Sequence, residues 1–161
     1  MEIHFMKWKF IENKGVISED NPGLEIYFGM SRKDLRSKLN FDSNKNKGRF
    51  DNEDSYGNTS GRNGNWFRFA FSKNEDVLEG IEILAGIIDV SGVSVIADGG
   101  NLIETIKRLE NKGFVFTKGE YSYTDFGHFV DIGDSEKNGG DENQVCWFLT
   151  AVNFDYLKTA N

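Results

Sequence analysis

The sequence predicts an α+β fold: one curved, mainly antiparallel β-sheet, bent toward a half-barrel, with two helices packed on it. Three observations carry this reading. Short runs with period-two alternation and many aromatics recur along the chain, most plainly in Trp66-Phe67-Arg68-Phe69-Ala70-Phe71. Two segments, opening at Ser31 and Asn101, show a capping residue followed by apolar side chains at helical spacing. The order of elements is strand, strand, helix, strands, helix, strands, with no internal repeat and no linker that divides the chain. Residues 1–161 therefore read as a single domain, long enough to bury a core. Aromatics supply much of the apolar mass: 14 Phe, 5 Tyr and 3 Trp.

The elements follow in order. Residues 1–10 read as a strand with Ile3, Phe5, Trp8 and Phe10 inward and Glu2, His4, Lys7 and Lys9 outward, with a phase slip near Met6 and Lys7. Asn13-Lys14-Gly15 and Asn21-Pro22-Gly23 are turns. Residues 24–28 form a second strand with Leu24, Ile26 and Phe28 on one face. The first helix is capped by Ser31 and shares an apolar face between Leu35 and Leu39; Arg32, Lys33, Arg36 and Lys38 cover the rest, and Asn40 ends it.

Residues 40–65 are a long polar loop with four acidic and four basic residues, anchored only by Phe41, Phe50 and Tyr56. A loop of this length in a compact domain is either functional or hides a hairpin, here around residues 49–56. Strands follow at 66–71, 77–85 and 87–96, the last divided at Ser91-Gly92. Asn101 caps the second helix, with Leu102, Ile103, Ile106 and Leu109 as its apolar stripe and Lys112 and Gly113 at its end. Residues 114–118, 120–123, 126–132 and 145–154 read as strands, with Lys118-Gly119 as a hairpin turn and 134–142 as a polar loop.

Charge is distributed unevenly. Residues 120–142 hold seven acids against Lys137, a net charge of −6, while the whole chain carries −7. Tyr121, Tyr123, Phe126, His128 and Phe129 lie among those acids. A sequence pI near 4.9 argues against a nucleic-acid binder and against an anionic membrane surface. No run reaches the ~18 apolar residues of a membrane-spanning helix, and residues 1–10 lack the apolar core of a signal peptide. Cys146, the one cysteine, excludes an internal disulfide and points to a reducing cytoplasm. Between Val145 and Trp147 it reads as a packed thiol.

Catalytic and metal motifs are weak. His4 and His128 are the two histidines, and neither has a metal-ligand spacing. His128 lies on the expected 126–132 strand beside Asp125 and Asp131; it is either a solvent-facing strand residue or the base of a small site. Asp134 to Gly139 resembles the first half of a calcium loop, but the twelfth position is Val145. Gly99-Gly100-Asn101 opens a helix as a phosphate site would, yet Asp98 would repel the anion. No cofactor or metal site is expected.

Acids interleaved with aromatics form either a solubilising face or a surface for a basic partner. The partner surface expected here comprises Tyr121, Tyr123, Asp125, Phe129, Asp131, Asp134, Glu136, Asp141 and Glu142. The run Gly29-Met30-Ser31-Arg32-Lys33-Asp34-Leu35-Arg36-Ser37-Lys38-Leu39, preceded by Pro22-Gly23-Leu24-Glu25-Ile26, is similar to a pattern recurrent in bacterial proteins, and the run from Gly92 to Gly113, a short strand leading into a helix and then an aromatic strand, is also similar in layout. The chain thereby resembles the immunity proteins of polymorphic toxin systems, including contact-dependent growth inhibition. The resemblance implies a cytoplasmic, non-enzymatic inhibitor that binds a cognate toxin domain and occludes its site. Toxins that cut nucleic acid need cationic clefts, so an acidic inhibitor fits them. The alternative expectation is a small enzyme or ligand-binding domain built around His128 and its neighbouring carboxylates.

Overall fold

The computed structural model describes residues 6–39, 45–57, 65–155 and 157. The chain forms a curved, unclosed mixed sheet with two helices, an α+β fold. The first sheet segment is β1 (Lys7–Ile11), β2 (Gly15–Ser18) and β3 (Glu25–Tyr27). Helix α1 (Arg32–Lys38) follows, then a hairpin of β4 (Lys45–Lys47) and β5 (Glu53–Gly57). Strands β6 (Trp66–Phe71), β7 (Leu78–Val90) and β8 (Val93–Ala97) lead to helix α2 (Leu102–Glu110). The chain then returns through β9 (Thr117–Lys118), β10 (Ser122–Asp125), β11 (Val130–Asp134) and β12 (Val145–Ala151). The continuous strand order is β3-β2-β1-β7-β12-β11-β10-β9, with β6 and β8 also paired to β7. Strand β1 runs parallel to β7, and every other strand pairing among the described residues is antiparallel.

β7 organises the sheet. Its first half pairs with β6 and β12, and its second half with β1 and β8. The sequence reading divided this strand at Gly86. The structure keeps it continuous, because Gly86 takes φ +149, a conformation rarely open to side-chain-bearing residues, without ending the pairing. Ser91 and Gly92, with φ of 53 and 86, make the tight turn into β8.

Alternation sorts the strands into two faces. Trp8, Phe67, Phe69, Ile81, Ile83, Ile132 and Phe148 are fully buried on the inner face. Trp8 meets Phe67 edge-on at 4.9 Å between ring centroids, and Phe10 meets Phe148 at 5.7 Å. Leu35 of α1 and Leu102, Ile106 and Leu109 of α2 join the same cluster. Both caps form as expected: Ser31 accepts from the Asp34 N–H and Asn101 from the Glu104 N–H.

Several expectations need correction. β2 escaped the sequence reading because four residues between turns are too few to show a period. Ile103 is 52 % exposed instead of joining the apolar stripe. The expected 114–118 strand shrinks to β9, since Phe114 is buried in loop conformation. The expected 126–132 strand begins only at Val130: Asp125 Oδ1 accepts from the N–H groups of Gly127 and His128, and Phe129 takes φ +57. The polar 40–65 segment contains the β4–β5 hairpin, while residues 40–44 and 58–64, and the proposed inward Ile3 and Phe5, lie outside the described residues.

A buried ion cluster fastens α1 to this hairpin. Asp54 is 1 % exposed, and its two oxygens accept from both Arg32 and Arg36 at 2.7–3.3 Å. The arginines are four apart on α1, so they present one paired face to β5. Arg32 also lies 4.9 Å over the Phe71 ring and donates to the Asp51 carbonyl. Burial alone would raise the Asp54 carboxyl, but hydrogen bonds from Arg36 and Arg32 outweigh it and hold the pKa at about 2. Because the folded value is depressed, the stability from this site is complete above about pH 4 and is lost as the pH falls toward 2. Asp54→Asn is expected to cost about 2–4 kcal/mol at pH 7, since neither arginine can accept from the new amide. Urea unfolding of both proteins at pH 7 and pH 3 checks this: the gap narrows at the lower pH.

Candidate functional site

The expected acidic surface splits into a buried part and an exposed rim. Asp125 and Asp131 are 2 % and 0 % exposed, so neither stands on the exposed rim. Each is buried because its oxygens are filled by internal donors. Phe129 is partly buried against Phe154, 5.7 Å between centroids, and Tyr123 is partly buried with the Lys118 ammonium 5.9 Å from its ring. The exposed rim consists of Glu120, Tyr121, Glu136, Asp141 and Glu142, with Asp134 half-buried at its base.

One side chain assembles this rim. Residues 119–121 join β9 to β10, and a short 3₁₀ turn, Glu136–Asn138, follows β11. The Asn138 amide donates to the carbonyls of Tyr121 and Asp134 at 3.1 and 2.7 Å, which sets the two loops side by side. Asp134 Oδ1 accepts from the Glu136 N–H. This internal use of Asn138 and Asp134 corrects the calcium-loop likeness, since both sit at supposed ligand positions. Farther along the loop, Asn143 accepts from the first turn of α2 through both its carbonyl and its side chain.

Asp125 and His128 form a second arrangement. Asp125 Oδ2 accepts from the Val115 N–H at 2.8 Å and contacts His128 Nδ1 at 2.7 Å. Burial would raise this carboxyl, but the Val115 and His128 donors prevail and hold it below its ordinary value. The imidazole lies 4.5 Å from the Phe114 ring, and its Nε2 faces Glu12 at 3.5 Å. Both ring nitrogens thus meet carboxylates, an arrangement that ties the 126–129 turn to Val115 and Glu12. His128 is therefore a turn residue and not the strand residue expected from sequence.

The sheet's outer face carries a feature that the sequence reading missed. A cleft of about 920 Å³ crosses β6, β7, β12 and β11. The register puts Arg68, Glu82, Leu149 and Asp131 on one rung across these four strands. Arg68 lies 3.3 Å from Glu82, and Arg49 bridges Glu53 and Glu82 at 2.8 and 3.7 Å. Burial raises the Glu82 carboxyl, an effect only partly offset by Arg49 and Arg68.

Asp131 anchors the far end. Oδ1 accepts from Ser122 and Thr124 at 2.7 and 2.6 Å, and Oδ2 from the Trp147 indole at 2.9 Å. Burial raises its carboxyl, partly countered by those three neutral donors. A β-bulge places Cys146 and Trp147 opposite the single Gly133. The indole lies directly on Gly133: a Cβ there would come within 2.3 Å of the ring. Asp131 and Gly133 together fix the tryptophan in the cleft wall. Cys146 also lines the cleft, and burial with Asp98 and Glu82 nearby raises its thiol, which disfavours a thiolate nucleophile. The available signal for this site was Arg68 and Glu82 at outward positions of strands with wholly apolar inner faces.

No family model, curated protein or solved structure matches this chain.

The Asp131 network responds differently to two substitutions. Asp131→Asn is expected to change stability by less than about 1 kcal/mol at pH 7, because its oxygen can keep the indole while Ser122 and Thr124 hydroxyls turn to accept from the amide. Asp131→Ala is expected to cost about 1–3 kcal/mol by stranding the indole N–H. The raised wild-type carboxyl binds its proton more tightly when folded, so its contribution to stability falls as pH climbs above about 4. Asp131→Asn removes that slope. Thermal melts across pH 4–8 compare the three proteins.

Proposed function

We propose that this protein is an immunity-type inhibitor, a non-enzymatic cytoplasmic protein that binds a basic toxin domain, of nuclease type, and blocks its active site. The observation that carries the reading is the rim: Glu120, Asp134 and Glu136, with the 47 % exposed Tyr121, are held together by Asn138, and Asp141 and Glu142 extend the same loop. Exposed carboxylates around an exposed aromatic are the side chains that both steer and anchor a cationic partner. Fixing them on tied loops lowers the ordering cost of association. Losing Asp125 and Asp131 from the surface leaves the segment's exposed charge strongly negative, since only Lys137 opposes the remaining acids. In this reading Asp125 and His128 shape the neighbouring turn. Among the described residues no helix is long and apolar enough to cross a membrane, which is compatible with an inhibitor acting in the cytoplasm.

The test uses a catalytically inactivated basic toxin domain, taken from the genes that neighbour this one if one of them encodes such a domain. The wild-type chain is expected to bind it tightly, with affinity falling steeply as salt rises. The triple variant Glu120→Lys/Glu136→Lys/Glu142→Lys, altered only at exposed positions, is expected to keep its melting temperature and lose about 100-fold in affinity, ~2.7 kcal/mol. Calorimetric titration decides it: undiminished affinity in the triple variant overturns the rim as the binding surface.

A further inference from the structure

We propose that the outer-face cleft is a receptor for one cationic side chain, arginine or lysine, presented by a protein partner and seated against Trp147. The proposal rests on the inhibitor reading only for the source of that side chain.

Three observations converge on a cation. The first is charge: among the cleft's lining residues, Glu53, Glu79, Glu82, Asp131 and Asp155 outnumber Arg49 and Arg68 five to two. The second is the aromatic. One face of the Trp147 ring lies on Gly133 and its N–H is held by Asp131, and the residue, only partly buried, lines the cleft. A tryptophan face is the strongest aromatic acceptor for an ammonium or guanidinium, most of all where water is partly excluded. Because the ring is already fixed on both counts, little side-chain entropy is lost on binding. The third is an internal precedent: the same sheet seats Arg68 over Trp66 at 4.9 Å and Arg32 over Phe71 at 4.9 Å.

The walls suit the stem as well as the head group. Leu84 and Leu149 lie beside the carboxylates, and an arginine or lysine carries three or four methylenes to cover them. The cleft also adjoins the acidic rim, since Asn138 lines one and ties the other. A partner docked on the rim is therefore within reach of the cleft. An entering cation would further stabilise the ionised forms of Glu82 and Asp131, which burial opposes. A volume of about 920 Å³ exceeds one side chain, so the flanking residues of the partner segment enter too.

The test is titration of the full chain, in 150 mM salt, with an acetylated, amidated pentapeptide bearing two arginines. Its counterpart carries citrulline, which keeps the shape and removes the charge. The readout is the Trp147 indole N–H resonance, assigned by its loss in Trp147→Leu. The arginine peptide is expected to shift that resonance with a dissociation constant of order 0.1–1 mM, and the citrulline peptide to bind at least about tenfold more weakly. Gly133→Ala, whose Cβ displaces the ring, is expected to abolish the response. Leu84→Lys, which places a resident cation in the cleft, is expected to abolish it with the indole still in place. An unshifted resonance, equal response to the two peptides, or a response that survives Leu84→Lys overturns the proposal. The rim triple variant is expected to retain the arginine response. Loss of toxin binding in that variant alongside an absent arginine response in the wild type sinks the cleft and keeps the inhibitor; the opposite pair of results does the reverse.

Discussion

The pairing of β7 with four other strands is the constraint from which the rest of the structure follows. A single extended strand cannot bury two sheet segments unless it passes from one to the other, and β7 does so across Gly86. Its inner residues Ile81, Ile83 and Ile88 contribute to a core shared by aromatics from β1, β6 and β12. Its outer residues Glu82 and Leu84 form the floor of the cleft. Core and cleft are opposite faces of one strand, so the alternation that packs one also exposes the other.

Two buried carboxylates show how the same residue type serves different ends. Asp54 sits between two arginines, and the charge-assisted bonds hold it ionised well below the ordinary range. It acts as a clamp between helix α1 and strand β5. Asp131 meets two hydroxyls and an indole, neutral donors that satisfy its oxygens without opposing charge. Burial therefore prevails and its carboxyl is raised. One carboxylate is structural because its partners are permanent cations. The other lies in a cleft wall where a cation from outside would complete it.

The rim and the cleft make one continuous surface of two kinds. The rim is loop-borne, exposed and negative, suited to long-range attraction. The cleft is strand-borne, partly enclosed and built around a fixed aromatic, suited to short-range selection. Asn138 belongs to both, so the loop that presents the acids is also the end wall of the cleft. The Asp125–His128 pair stands apart from this surface and stabilises the turn that leads into β11.

Local chemistry was legible in the sequence wherever a few neighbouring residues suffice. The Ser31 and Asn101 caps, the Leu35 face, the Ser91-Gly92 turn and the alternation of residues 66–71 depend only on backbone stereochemistry and period. The α+β class followed from their order. What depends on register across distant strands was not legible. Nothing local distinguishes Asp131 and Asp125, fully enclosed, from Asp141 and Glu142, exposed on the same segment; the donors that bury Asp131 come from β10 and β12. Nor could sequence place Arg68 beside Glu82, 14 residues apart, or lay Trp147 on Gly133. The chain by itself determined its two helices, its longer alternating strands and its concentration of acid. Tertiary structure decided which acids face solvent, because strand register, and not sequence distance, sets which donors reach each carboxylate.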